Sequence, residues 1–269
     1  MTNWNWVFAS RSGAGGDWVS PRWSSSSVLD YDRLAQDFER RADDYKSASP
    51  FPHAVIDGLI DPETVASIAA EFPDPDDREA WLDFNGAEAG MVVQQLKYHV
   101  SDERCMGPKT QRLMYELKSA RFLALLTSLT AIENLIPDAL NYGGGLHMSR
   151  SGAMLKIHAD FSRHPTWHLD RRLNLLLYLN EYWSESYGGE LELWDYGMRA
   201  CQKKIAPLAG RCVIFSTSAT SYHGHPDPIA CPRGVTRKSI ALYYYTAPAR
   251  FAEGAAHETI WRARPGVIE

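Results

Sequence analysis

Imidazole and carboxylate side chains carry the most specific chemistry in this chain. His158-Ala159-Asp160 closes the mostly apolar run Met154-Leu155-Lys156-Ile157. In a β-strand residues i and i+2 project to the same face, so this spacing brings an imidazole and a carboxylate to one point. Two histidines and one carboxylate on one face of an ion suit a nonheme Fe(II) that keeps its other positions open for a chelating co-substrate and O2. The missing ligand is then a histidine from another strand. Ser221-Tyr222-His223-Gly224-His225 offers two, beside a strand expected over residues 211–215.

H-x-D alone decides nothing, because the chain contains it three times. His225-Pro226-Asp227 is interrupted by a proline, which suits a turn better than a ladder strand. His168-Leu169-Asp170 runs into Arg171-Arg172, which predicts an ion-paired carboxylate. Only His158 and Asp160 end a plausible buried strand. Downstream, Thr236-Arg237-Lys238 opens a long apolar strand ending in Tyr243-Tyr244-Tyr245. A charge at the mouth of such a strand needs an anion or solvent, and a dicarboxylate would satisfy a guanidinium bidentately.

These residues must be positioned by a sizeable scaffold. The chain has 269 residues, 45% apolar and 12% aromatic, enough for one globular body. A formal net charge of −5 argues against nucleic acid as a partner. No apolar stretch approaches the roughly 20 residues that span a bilayer, and the first residues lack a basic n-region and a long apolar segment, so a cytoplasmic location without a membrane partner is expected. The four cysteines, Cys105, Cys201, Cys212 and Cys231, form no C-x-x-C pair and read as reduced packing residues.

Residues 1–29 show no sustained period and read as an irregular arm that orders only if Trp4, Trp6, Trp18 and Trp23 find pockets. A single domain is expected over 30–269, with a helical flank over 30–142 and a barrel core over about 143–250. Helices are predicted over 30–45, from the Asp61-Pro62-Glu63 start to about Phe72, and over 110–129. A short strand precedes the second, at His53-Ala54-Val55-Ile56-Asp57. Beyond Gly143-Gly144-Gly145, short runs at 146–149, 154–158, 174–180, 190–194, 203–206, 211–215 and 239–245 alternate with turn residues, the signature of a β-sandwich or barrel.

The ordered set His158-Ala159-Asp160, Tyr178-Leu179-Asn180 with Trp183, Gly188-Gly189-Glu190-Leu191, Ser221-Tyr222-His223-Gly224 and Arg237-Lys238-Ser239 resembles the Fe(II)/2-oxoglutarate-dependent dioxygenases of the prolyl-4-hydroxylase-like branch. The phrase Phe51-Pro52-His53-Ala54-Val55-Ile56-Asp57 is similar to the lead-in of many bacterial members. The resemblance implies a double-stranded β-helix, a jelly-roll or cupin-like core that is mainly β with flanking α. It implies His158, Asp160 and His223 as iron ligands and as the catalytic centre, Arg237 as partner of the distal 2-oxoglutarate carboxylate, and Tyr178 as a second co-substrate contact. The cofactors implied are Fe(II), 2-oxoglutarate and O2, and the products succinate and CO2.

Two features depart from the pattern. His225 stands as an alternative to His223, and Arg237 lies further downstream than usual, with an inserted loop through Pro226-Asp227-Pro228 and Cys231-Pro232-Arg233-Gly234 and with Lys238 as fallback. Asp160 stands where related halogenases carry Gly or Ala, which favours hydroxylation. A small-molecule substrate such as an amino acid or a natural-product intermediate is expected, with a protein or glycan as alternatives. The competing reading from another class is a non-oxidative cupin-like isomerase or hydrolase.

Some residues have two readings each. His147 either lines the barrel mouth or is a hydrogen-bonded structural histidine. Lys97, His99, Arg150, Arg163, His164 and Arg171 could each read a substrate anion or be solvated. Lys156 shares the expected face of His158, whereas Trp183, Trp194 and the Tyr243–Tyr245 run read as packing.

Overall fold

A computed structural model describes residues 27–83, 85–88, 91–248 and 256–267. The arm expected over residues 1–29, with its four tryptophans, lies outside them except for its last three residues. Helix α1 (Tyr31–Ser47) starts at Asp30, whose carboxylate accepts the Arg33 N–H at 3.0 Å. Strand β1 (His53–Ile56) follows, then α2 (Pro62–Ala70), capped by Asp61 through the Thr64 N–H at 2.9 Å. Both starts are as the capping residues predict.

The single helix expected over 110–129 is instead two, α3 (Pro108–Leu117) and α4 (Ala120–Thr130). Ser119 divides them, because its Oγ accepts the Phe122 N–H at 3.2 Å and starts a new helix. Strand β2 (Met91–Val100), between α2 and α3, is absent from the sequence expectation. Its residues alternate poorly in hydrophobicity and so give no period-2 signal.

The C-terminal half holds β3 (Gly145–Ala159), β4 (Asp170–Tyr178), β5 (Leu191–Trp194), β6 (Cys201–Ile205), β7 (Cys212–Ser216), β8 (His223–His225) and β9 (Arg237–Thr246). The runs at 146–149 and 154–158 are one strand, β3, bent at Gly152 where φ is +84°. Neighbours in the sheet run β1-β7-β4-β9-β3-β8-β5-β6, every pair antiparallel. The first part of β3 pairs with β9, from Ser149 opposite Arg237 to Gly145 opposite Ala241. Its last part pairs with β8, His158 opposite His223. The bend thus carries one strand from one sheet to the other, the jelly-roll arrangement of a double-stranded β-helix.

Alternation along β4 divides the interior. Leu173, Leu175 and Leu177 are fully buried in one cluster with α1, α3 and α4, through Leu34, Phe38, Leu113 and Phe122. Each such leucine is worth roughly 1.5–3 kcal/mol of burial. Tyr178 on the other face joins Leu191, Leu193, Ile205, Val213 and Phe215 between the two sheets. The helices therefore back one sheet, and its opposite face is left to form a cavity. The cysteines are all unbridged; Cys212 and Cys231 are buried and the half-buried Cys201 packs against the cluster of Ile157, Trp194 and Tyr222, so packing accounts for all but the exposed Cys105. No helix among the described residues is long and apolar enough to cross a membrane.

Candidate metal centre

His158 is the penultimate residue of β3, Asp160 follows the strand directly, and His223 opens β8 opposite His158. One ligand atom from each lies within 4.8 Å of the others, a group that could hold a metal ion. His158 Nε2 is 3.5 Å from Asp160 Oδ1, and His223 Nε2 is 3.5 Å from Asp160 Oδ2. The donor atoms face one another because each imidazole is turned by its other nitrogen. His158 Nδ1 donates to the Lys156 carbonyl and His223 Nδ1 to the Ser221 carbonyl, both at 2.9 Å. A proton fixed on Nδ1 leaves the Nε2 lone pair for a cation. Burial pushes the His223 pKa down to about 4, so the ring is neutral at physiological pH.

Asp160 is anchored from the opposite side. Its Oδ2 accepts Asn174 Nδ2 at 2.7 Å and lies 3.1 Å from Arg171 Nη2. Arg171 is itself buried, bonds Asn174 Oδ1 at 2.8 and 3.0 Å, and stacks 3.6 Å from the Tyr243 ring centroid. Burial alone would raise the Asp160 pKa, but Arg171 first, then His223 and His158, hold it well below the usual carboxylate range. Asp170 is ion-paired as expected, but its partner is Arg163 at 3.2 Å, because Arg171 turns inward to Asp160.

Arg237 and Tyr178 lie in the same cavity. Arg237 Nε donates to the Gly189 carbonyl at 2.8 Å, and Nη2 donates to Tyr178 Oη at 3.3 Å. Gly189 has φ +74°, and a Cβ there would stand 3.1 Å from Ile229 and 3.3 Å from the Arg237 side chain, which explains the glycine at this position. Lys238 points out of the barrel, its Nζ 3.3 Å from the Ala69 carbonyl, as alternation requires.

His225 also lines the cavity but lies outside the three-residue cluster, and neither ring nitrogen has a hydrogen-bond partner. Burial, with Arg237 next, pushes its pKa well below the ordinary value. Between His223 and His225 the register slips, from His158 to Leu155. This bulge puts Leu155 on the cavity wall beside His158, so Lys156 does not share the face that simple alternation gave it. Gly224 sits against the bulge, where a Cβ would approach the Leu155 and Lys156 carbonyls to 2.7 Å.

Of the cations weighed for substrate contact, Lys97 and Arg171 line the cavity. Arg150 pairs with Asp76 at 2.8 Å and Arg163 with Asp170. His164 is fully buried, stacked on Trp167, and His99 packs edge-on against His147. His147 fits both its readings, lining the cavity while its Nε2 donates to the Gly143 carbonyl at 3.0 Å. Trp183 packs on Tyr187 and Trp194 on Tyr222 and Met198.

Cavity residues that escaped the sequence reading include Gln94, Asn174, Tyr243 as the Arg171 platform, and Trp261, whose ring centroid is 4.9 Å from that of His158. Arg171 opening an apolar strand was the available signal for Asn174 and Tyr243. Gln94 and Trp261 carry no motif.

Residues 143–245 match the model of the 2OG-Fe(II) oxygenase superfamily. Among solved structures, a Phytophthora capsici prolyl 4-hydroxylase aligns with TM-score 0.56 at 19% identity, over 87% of this chain and 74% of that one. A Trichoplax adhaerens prolyl hydroxylase, solved in complex with a hypoxia inducible factor peptide fragment, aligns at 0.53 and 18% over 80% and 90%. A Pseudomonas putida prolyl-4-hydroxylase aligns at 0.53 and 16% over 78% and 98%. At these identities the likeness establishes the fold. No curated protein matches the sequence.

Proposed function

We propose that this chain, whose residues 143–245 match the model of the 2OG-Fe(II) oxygenase superfamily, hydroxylates an unactivated C–H bond of a small molecule, such as an amino acid or a natural-product intermediate. The observation that carries the reading is the convergence of His158, Asp160 and His223 in one cavity with the Arg237–Tyr178 pair. Two imidazoles with Nδ1 engaged and one ionised carboxylate fit a divalent iron.

His158, Asp160 and His223 would hold Fe(II), and Arg237 with Tyr178 would take the distal carboxylate of 2-oxoglutarate. Bound together, Fe(II) and 2-oxoglutarate supply an oxidative decarboxylation that couples O2 reduction to C–H hydroxylation, releasing succinate and CO2. The chain's own contribution is positional. The Lys156 and Ser221 carbonyls keep both imidazoles aimed, Arg171 and Asn174 keep Asp160 ionised and fixed, and Leu155, Leu176 and Leu191 give the cavity an apolar wall that limits water. Arg237 is already held by Gly189 and Tyr178, so binding a carboxylate costs little ordering.

The test is anaerobic titration of the apoprotein with Fe(II) and then 2-oxoglutarate, following the visible charge-transfer band of the chelate, with Asp160→Ala and Arg237→Ala alongside. A band in the wild type that Arg237→Ala weakens supports the reading. Stoichiometric Fe(II) binding without a band would overturn it in favour of the non-oxidative cupin-like alternative.

A further inference from the structure

His225 is a buried imidazole that the metal centre leaves unused. His158 and His223 each commit Nδ1 to a main-chain carbonyl and turn Nε2 toward Asp160. His225 is 4% exposed and lines the same cavity, yet neither of its ring nitrogens has a hydrogen-bond partner among the described residues. In every protonation state an imidazole carries at least one N–H, and a buried donor left unpaired is costly.

Strand register fixes where His225 stands. His223 lies opposite His158 on β3 and opposite Leu193 on β5. His225, two residues further along β8, lies opposite Leu155 on β3, and the pairing of Gly224 with Glu192 brings Leu191 beside it on β5. Both leucines line the cavity, and neither side chain can pair with the ring. Continuing in the same direction, β3 reaches Ser149, opposite Arg237, and the chain before β5 reaches Gly189, whose carbonyl accepts Arg237 Nε at 2.8 Å. Both flanking strands therefore pass from the metal cluster to Arg237 by way of the level of His225. Two residues of strand cover roughly 6.6 Å, comparable with a five-carbon dicarboxylate. A molecule held at the metal cluster by one end and at Arg237 by the other has to run past this imidazole.

We propose that His225 donates a hydrogen bond to the distal carboxylate of bound 2-oxoglutarate, as a third anchor beside Arg237 and Tyr178. This rests on the oxygenase reading and deepens it. The second histidine of the His223-Gly224-His225 run, a competitor for the metal in the sequence, thereby has a role of its own. A 2-oxo acid without a distal carboxylate leaves the donor unpaired, which makes His225 a determinant of co-substrate choice.

The experiment is anaerobic titration of the Fe(II)-loaded protein with 2-oxoglutarate, following the chelate band in wild type, His225→Leu and His225→Gln. The expected result is a Kd raised on the order of tenfold in His225→Leu and largely recovered in His225→Gln, whose amide restores a donor, with Fe(II) affinity and band position unchanged. A Kd in His225→Leu within about twofold of wild type overturns the proposal. So does a tenfold fall in Fe(II) affinity, which would make His225 a metal ligand. 2-Oxovalerate, which keeps the chelating end and lacks the distal carboxylate, should not distinguish wild type from His225→Leu; a tenfold weakening there would place His225 at the chelating end and overturn the assignment. Wild-type protein gives a readout independent of how the variants fold: with isotope-labelled histidine and Zn(II) in place of Fe(II), saturating 2-oxoglutarate should bring out an additional slowly exchanging imidazole N–H resonance, and its absence counts against the bond. No band in the wild type fails the oxygenase reading itself, whereas a wild-type band with an unmoved Kd in His225→Leu fails this proposal alone.

Discussion

Asn174 Nδ2 sits 2.7 Å from Asp160 Oδ2 while its own Oδ1 receives two bonds from Arg171, so one neutral amide links the only carboxylate of the cluster to a buried guanidinium. Asn174→Ala removes both connections. Metal affinity should fall by about 10- to 100-fold, the usual consequence of losing a group that orients a ligand. Competition with a chelator, alongside circular dichroism, measures it; unchanged affinity in a folded variant would refute the role.

Gly224 permits the close approach of β8 to the bulge in β3. In Gly224→Ala the new methyl meets two backbone carbonyls at 2.7 Å, and neither can swing away as a flexible side chain would. A loss of about 1–3 kcal/mol is expected from this overpacking, together with weakened metal binding, because His158 and His223 face each other across the strained pair. Urea melts and metal titration report the two effects.

Arg237 and Lys238 are adjacent in sequence but point to opposite sides of β9. Arg237→Gln should raise the 2-oxoglutarate Kd by about 10- to 100-fold, as loss of a charge-assisted bond predicts. Lys238→Gln, whose ammonium reaches the Ala69 carbonyl on the helical side, should change it by no more than about twofold. The reverse ranking would mean that the co-substrate site has been misread.

Glu116 is a buried carboxylate far from the cavity, accepting bonds from Ser27 Oγ, the Val28 and Leu29 N–H groups and Arg112 Nε. Burial pushes its pKa up, but these four donors outweigh it and the net shift is downward. A depressed folded-state pKa contributes stability above the unfolded value of about 4.3, and that contribution disappears as pH falls through the folded value. Glu116→Gln should therefore cost about 1.5–3 kcal/mol at pH 7, with a gap from wild type that narrows below about pH 4. Urea melts at several pH values measure this, and a constant gap would contradict it.

Most barrel strands were readable because they are short apolar runs closed by turn residues, as at residues 174–180 and 211–215, whereas β8 (His223–His225) has no apolar run to mark it. His158 and Asp160 were readable because ligand chemistry restricts residue type and strand geometry restricts spacing, while the choice of His223 over His225 came only from the family resemblance. Strand β2 was not, since Met91–Val100 mixes Gln, Lys and His with apolar residues and takes its conformation from pairing with β3. Nor was the placement of Lys156 and Leu155, because a bulge is fixed by the partner strand and leaves no local mark. Asn174 looks like any polar interruption of a strand until Asp160 is placed beside it.

Both imidazoles of the cluster are oriented by carbonyls two residues upstream in their own chain, Lys156 for His158 and Ser221 for His223. Main-chain atoms are present whatever side chains stand there, so ordinary amino-acid replacement cannot delete either anchor. Asp160 depends on the side chains of Asn174 and Arg171, each of which one replacement can remove. Evolutionary tuning of this centre therefore has one handle, on the carboxylate side, while the histidine side is inherited with the backbone.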